Sequence, residues 1–255
     1  MCILLRPLSA ILAALLCFVL LLAQPANATG LNIVTESLPP LNYEENGVVT
    51  GFATELVQAM LVSAGLQAPI TLLPWARAYQ ATLSQPNTLL YSTTRSAERE
   101  ALFEWIGPIS TRKIFLYKLK TRSDIHLNSI ADSAHYRLGL VREMASAKNF
   151  LQAYAQADSQ LDFAPTVESN LKKFLIGRTD LIISQDWAAA FLMKSQQRRP
   201  EELEAVFLLD GSSSYYLAMN KQSDPALVQK IRTAFEKVQQ SGVLEKLRKK
   251  YLPQE

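Results

Sequence analysis

The chain has 255 residues, 49% of them hydrophobic and 19% charged, with 12 Pro and 9 Gly. That is enough to bury one large core or two small ones, and it excludes disorder, a collagen repeat and a disulfide-rich scaffold. The formal net charge is +3 and both signs are spread along the chain, so no basic face suited to a phosphate backbone stands out and no nucleic-acid partner is expected.

Residues 1–28 have the layout of a cleaved secretory signal. Arg6 precedes an apolar run from Leu8 to Ala23, and Ala26-Asn27-Ala28 supplies the small-residue cleavage pattern. The run is shorter than the roughly 20 residues that span a bilayer, so the exported chain is not expected to cross a membrane. Cleavage after Ala28 also removes Cys2 and Cys17, the chain's two cysteines. Zinc-thiolate sites and cysteine nucleophiles are then excluded, and the fold must be held by its cores alone in an oxidising compartment.

From residue 29 onward, strands and helices alternate. Residues 31–35 read as a strand, and Pro39-Pro40 forces the chain out of it into a loop. Asn46-Gly47 marks a turn. The spacing of Leu56, Val57, Met60, Leu61 and Ala64 predicts a helix stopped by Gly65. A strand is expected over 70–73, a helix over 77–83, a strand over 88–92 and a helical turn over 97–103, with a further strand over 112–119.

The pattern restarts with a strand at 137–141, helices at 145–156 and 168–176, and a strand at 180–184. Residues 194–204, charged and interrupted by Pro200, read as a solvated connection. Residues 215–219 form one more strand, Asp224-Pro225 opens a helix that runs to Gly242, and a basic helix follows over 243–251. Alternation of this kind predicts an α/β fold with mainly parallel sheets in two units of about 100 residues each.

The order of segments resembles the bacterial solute-binding proteins of family 3, the extracytoplasmic receptors of polar amino-acid ABC transporters. The resemblance runs through Thr35-Glu36, Pro40-Leu41-Asn42-Tyr43, Gly51-Phe52-Ala53-Thr54-Glu55, Ser96-Ala97-Glu98-Arg99, Phe103-Glu104-Trp105-Ile106-Gly107-Pro108, Gly177-Arg178-Thr179-Asp180 and Ser241-Gly242-Val243-Leu244-Glu245-Lys246. It implies a two-lobed clamp of the type II periplasmic-binding-protein kind, with residues 29–115 and 214–255 in lobe 1, residues 116–213 in lobe 2, and the ligand cleft at the hinge. It further implies a monomer that captures a small polar ligand, an amino acid or a related charged molecule, and passes it to a membrane permease of an ABC transporter.

The resemblance carries site residues across one by one. Arg99 matches the arginine that grips a ligand carboxylate, a role its planar fork of donors suits; the alternative is a surface ion pair with Glu98, Glu100 or Glu104. Arg95 supplies a second charge or sits on the rim. Ser92, Thr93 and Thr94 match the hydroxyl-bearing strand end, Thr94 best of the three, though a threonine there also caps helices. Tyr43 matches a ring that covers the ligand. Trp75 and Arg77 leave the next strand end, where an aromatic wall and a charge suit a polar ligand or simply pack the lobe. Glu36 could accept a ligand ammonium.

In the second lobe the match departs from the family. Arg142-Glu143-Met144 stands where many members have Gly-Thr at a helix start, so Arg142 is the candidate and Met144 replaces a hydroxyl. The acid expected five residues after Asp180 falls on Gln185, with Asp186 one step beyond, and Asp186 is the candidate for a ligand ammonium. Two other functions stay open: an enzyme on the same scaffold, similar to cyclohexadienyl dehydratases, with Glu143 or Glu36 as acid or base, and a receptor that presents its ligand to a membrane sensor. No metal-ligand pattern surrounds His126 or His135 and no phosphate-cradling loop is present, so no cofactor is expected.

Overall fold

The computed structural model describes residues 30–142, 144–154 and 158–251. The signal expected over residues 1–28, both cysteines, Glu143 and the far end of the helix expected over 145–156 lie outside the described residues.

The fold is α/β. Ten strands are described: β1 (Asn32–Thr35), β2 (Tyr43–Glu45), β3 (Val48–Thr50), β4 (Ile70–Leu72), β5 (Thr88–Thr94), β6 (Phe103–Leu119), β7 (Leu138–Val141), β8 (Leu161–Ala164), β9 (Leu181–Gln185) and β10 (Leu203–Asn220). Eight of them form one sheet in the order β4-β1-β5-β10-β6-β9-β7-β8, and β2 and β3 form a separate hairpin. The flanking pairs β1–β4, β1–β5, β7–β8 and β7–β9 are parallel, and the pairs made by β6 and β10 are antiparallel.

Among the described residues, seven α-helices join them: α1 (Phe52–Ala64), α2 (Trp75–Ser84), α3 (Ala145–Ala153), α4 (Val167–Leu175), α5 (Asp186–Ser195), α6 (Pro225–Gln240) and α7 (Val243–Tyr251). Helix α1 buries Phe52, Ala53, Leu56, Val57, Met60 and Leu61, and Gly65 closes it with a left-handed φ of 60°. Helix α6 starts where Asp224 accepts the Ala226 N–H at 2.9 Å, with Pro225 in the first turn where its missing donor costs nothing. These two helices pack on one another.

Strands β6 and β10 pair along nearly their whole length, from Leu203 opposite Leu119 to Asn220 opposite Phe103. Their two ends serve different halves of the sheet. The last part of β10 pairs with β5, and the last part of β6 pairs with β9. Separate cores follow: Val34, Ala78 and Leu90 in the β1–β5 half, Leu116, Leu138, Phe150 and Leu181 in the β7–β9 half.

Several elements differ from the sequence reading. The strand expected over 112–119 begins at Phe103 and passes through Gly107-Pro108, because a register shift opposite Tyr216 absorbs the proline that cannot join a regular ladder. The strand expected over 215–219 begins at Leu203. Residues 186–193, to which the sequence reading gave no element, form helix α5 together with 194 and 195 of the expected connection, which shrinks to 196–199 before a short 3₁₀ turn, Pro200–Glu202. Strand β8 was not anticipated.

Candidate functional site

The loop after β1 is built by its own polar groups. Asn42 donates from Nδ2 to the Glu36 carbonyl at 2.5 Å, and the Leu38 N–H donates to the Asn42 carbonyl at 2.6 Å, so the double proline is folded back as a tight turn. Gly51 braces it from below. Its φ is 112°, and a Cβ there would lie 2.6 Å from the Leu41 carbonyl oxygen, so only glycine fits.

Strand β5 carries a bulge next to this loop. Thr93 pairs with Tyr216 and Tyr91 with Leu217, which leaves Ser92 as the extra residue, at a left-handed φ of 61°. A non-glycine residue in that conformation is strained, and bulges re-aim side chains. The Ser92 hydroxyl is buried and has no hydrogen-bond partner among the described residues.

Glu36, Ser37, Ser92, Thr94 and Arg99 come together around a cavity of about 440 Å³, which Trp75, Leu38 and Pro39 also line. The other wall is supplied by Arg112, Ile114 and Tyr215 from the long strands, and by Met144, Ser146, Val167, Ile183, Ser184, Gln185, Ala188 and Leu192.

Arg99 is held on two sides. Nη1 donates to the Thr94 hydroxyl at 3.1 Å and carbonyl at 3.3 Å, and the guanidinium carbon stands 5.3 Å from the Trp75 ring and 5.2 Å from the Tyr79 ring. Trp75 and Tyr79 are one turn apart on α2, which makes them a continuous aromatic platform. Among the described residues Arg99 forms no ion pair, so its charge is available to a ligand. Arg112 differs. Its Nη1 donates to Asp210 at 2.6 Å and to Ser213 at 3.0 Å, which balances most of its charge inside the protein.

Burial raises the Glu36 carboxyl to about 7, against the pull of nearby Arg99. Burial likewise raises the Tyr215 phenol, with Arg112 opposing. Tyr215 donates its hydroxyl to Gln185 Oε1 at 3.2 Å, and the Gln185 Nε2 group is buried without a partner.

Of the residues singled out in the sequence, the structure brings Glu36, Trp75, Ser92, Thr94 and Arg99 to the cavity. Thr93 is buried one step along the strand, where alternation places it on the opposite face from Thr94. Arg95 is exposed, paired with Glu100 (Nε to Oε2, 2.7 Å) and 5.5 Å from the Tyr216 ring, outside the lining. Arg77 is exposed on α2. Tyr43 packs its ring against Phe191 of α5 at 5.3 Å and also lies outside. Arg142 is exposed, its guanidinium 5.3 Å from the Phe163 ring in a separate surface depression.

The choice between Gln185 and Asp186 is decided by the start of α5. Gln185 lines the cavity as the residue before the helix, whereas Asp186 is its first residue and accepts the Trp187 N–H at 2.9 Å. Arg112 and Tyr215 escaped the sequence reading, and the bulge that re-aims Ser92 was not anticipated. The bulge and the long β6–β10 ladder that place them are pairings between distant segments. Gln185 was the exception, since its spacing from Asp180 pointed to it.

Among the described residues, no group of three His, Cys, Asp or Glu could hold a metal ion, and no helix is long and apolar enough to cross a membrane.

The fold has many relatives of known structure at low sequence identity. A histidine kinase sensor domain with similarity to periplasmic binding proteins superposes with a TM-score of 0.70 at 17% identity, over 87% of this chain and 96% of that one. An ancestral arginine-binding protein bound to arginine gives 0.68 at 19% identity, over 88% and 98%. The arginine-, lysine-, histidine-binding protein ArtJ from Geobacillus stearothermophilus gives 0.67 at 17%, over 88% and 96%. By sequence, no curated protein matches. The family model for bacterial extracellular solute-binding proteins, family 3, matches residues 31–254. With nearly the whole chain matched, and with the sheet order and cavity described above, this protein belongs to family 3 of the bacterial extracellular solute-binding proteins.

Proposed function

We propose that the chain captures a small solute bearing a carboxylate in the cavity around Arg99 and delivers it to the membrane permease of an ABC transporter. The reading includes export through a cleaved leader, action in the periplasm as a monomer, and closure of two halves, residues 29–115 with 214–255 against 116–213, about the strands β6 and β10. It assigns no catalytic step.

One observation carries it. Arg99 reaches the cavity without an ion pair among the described residues, clamped by Thr94 and the Trp75–Tyr79 platform. A guanidinium fixed in this way meets a carboxylate with little further loss of freedom. Thr94, Ser92 and Gln185 add hydrogen-bonding groups around it.

The test is a thermal denaturation screen of amino acids, small di-acids and polyamines, repeated with Arg99→Ala. A true ligand at 100 times its dissociation constant should stabilise the protein by roughly 2.7 kcal/mol. Loss of every hit in the variant supports the reading. Hits that persist unchanged remove Arg99 from the site, and turnover of a hit would replace capture with catalysis.

A further inference from the structure

The two sides of the cavity are chemically unequal. Among the described residues, the ionisable carboxyl and guanidinium groups that line it belong to the loop after β1, the turn after β5 or the middle of β6: Glu36, Arg99 and Arg112. Among the described residues, the β7–β9 half contributes eight to the lining and none of them is charged. Five of them are Met144, Val167, Ile183, Ala188 and Leu192, and Leu192 is only 7% exposed. Asp186 lies outside the lining.

Resting on the proposed role of Arg99, we infer that the solute has a carboxylate head and an uncharged, largely apolar body, such as an aliphatic or thioether amino acid or the corresponding carboxylic acid. The reason is desolvation. A body carrying its own ammonium, guanidinium or second carboxylate would lie against Val167, Ile183 and Leu192 with no opposite charge to replace its water. An aliphatic body covers those side chains and releases water from both surfaces. Closure of the cavity strengthens the discrimination, because it removes the water that could otherwise reach a charged body.

Isothermal titration of the purified chain decides it. Leucine and methionine should bind at least tenfold more tightly than glutamate, lysine or arginine, and 4-methylpentanoate, which is leucine without its amine, separates a plain acid from an amino acid as the source of the head. The heat-capacity change on binding should grow more negative from alanine through norvaline to leucine. Ala188→Asp, in the first turn of α5 where an acid suits the helix dipole, should move the lysine-to-leucine affinity ratio at least tenfold toward lysine.

Equal or tighter binding of the charged-bodied compounds, a flat heat-capacity series or an unmoved ratio in A188D overturns the inference. If those compounds bind and the binding disappears in R99A, capture through Arg99 stands and only the apolar body fails. If no compound binds in either series, both fail.

Discussion

Arg99, the proposed anchor, is assembled before any ligand arrives. Its donors are aimed by Thr94 and its plane is held by two rings, so replacing it with lysine keeps the charge and loses the fork and the stacking. Arg99→Lys is therefore expected to weaken binding by more than tenfold while leaving the melting temperature of the free protein nearly unchanged, as measured by titration and thermal denaturation side by side.

Glu36 gives the second residue-level prediction. Its folded value of about 7 lies above the ordinary 4.5, so the folded chain holds a proton that the unfolded chain releases between those values. Stability should fall as pH rises from about 4.5 to about 7 and then level off. Glu36→Gln removes this slope, and above pH 7 the variant should be more stable than the parent by on the order of 2 kcal/mol. Urea denaturation at pH 5 and pH 8 measures it; equal differences between the two proteins at both pH values would exclude a raised Glu36. A bound carboxylate screens Arg99 and holds the proton more firmly, so affinity should decline above pH 7, with Arg112 and Tyr215 the other titratable groups facing the cavity.

Among the elements, α1 and the loop it supports depend on Gly51. An alanine there must move the Leu41 carbonyl and adopt an unfavourable φ, so Gly51→Ala should cost about 2 kcal/mol or more in urea denaturation. Removing the α6 cap with Asp224→Ala should cost about 1 kcal/mol. Helices α1, α6 and α7 were legible because a buried stripe and local stop signals declare themselves within one turn. Helix α5 was not, because Asp186-Trp187-Ala188-Ala189-Ala190 follows a strand directly with no linker residues to mark the change. The full lengths of β6 and β10 were hidden for a different reason: Gly107-Pro108 and Gly211-Ser212-Ser213-Ser214 break the alternation, and only the partner strand shows that the ladder continues past them.

Across the whole molecule, the two halves of the sheet meet away from the cavity as well as around it. Tyr43, on the β2–β3 hairpin, packs on Phe191 of α5, and neither lines the site. An aromatic pair of this geometry contributes roughly 0.5 to 1.5 kcal/mol. Phe191→Ala should therefore weaken ligand binding several-fold by favouring separation of the halves, with a larger radius of gyration in solution scattering of the free protein. An unchanged affinity would show that the contact takes no part in closure.

What the sequence determined by itself is the local record: the α/β alternation, most helix ends, and the family signature around Glu36, Thr94 and Arg99, all written in residues close together along the chain. The tertiary structure alone decided which face of β5 the bulged Ser92 serves, that Gln185 rather than Asp186 reaches the cavity, that Arg112 is balanced by Asp210, and that the described residues of one wall are uncharged. Each of those depends on strands whose partners lie far away in the chain. A shift of one residue in pairing turns a side chain from the cavity into the core, and nothing local records that shift.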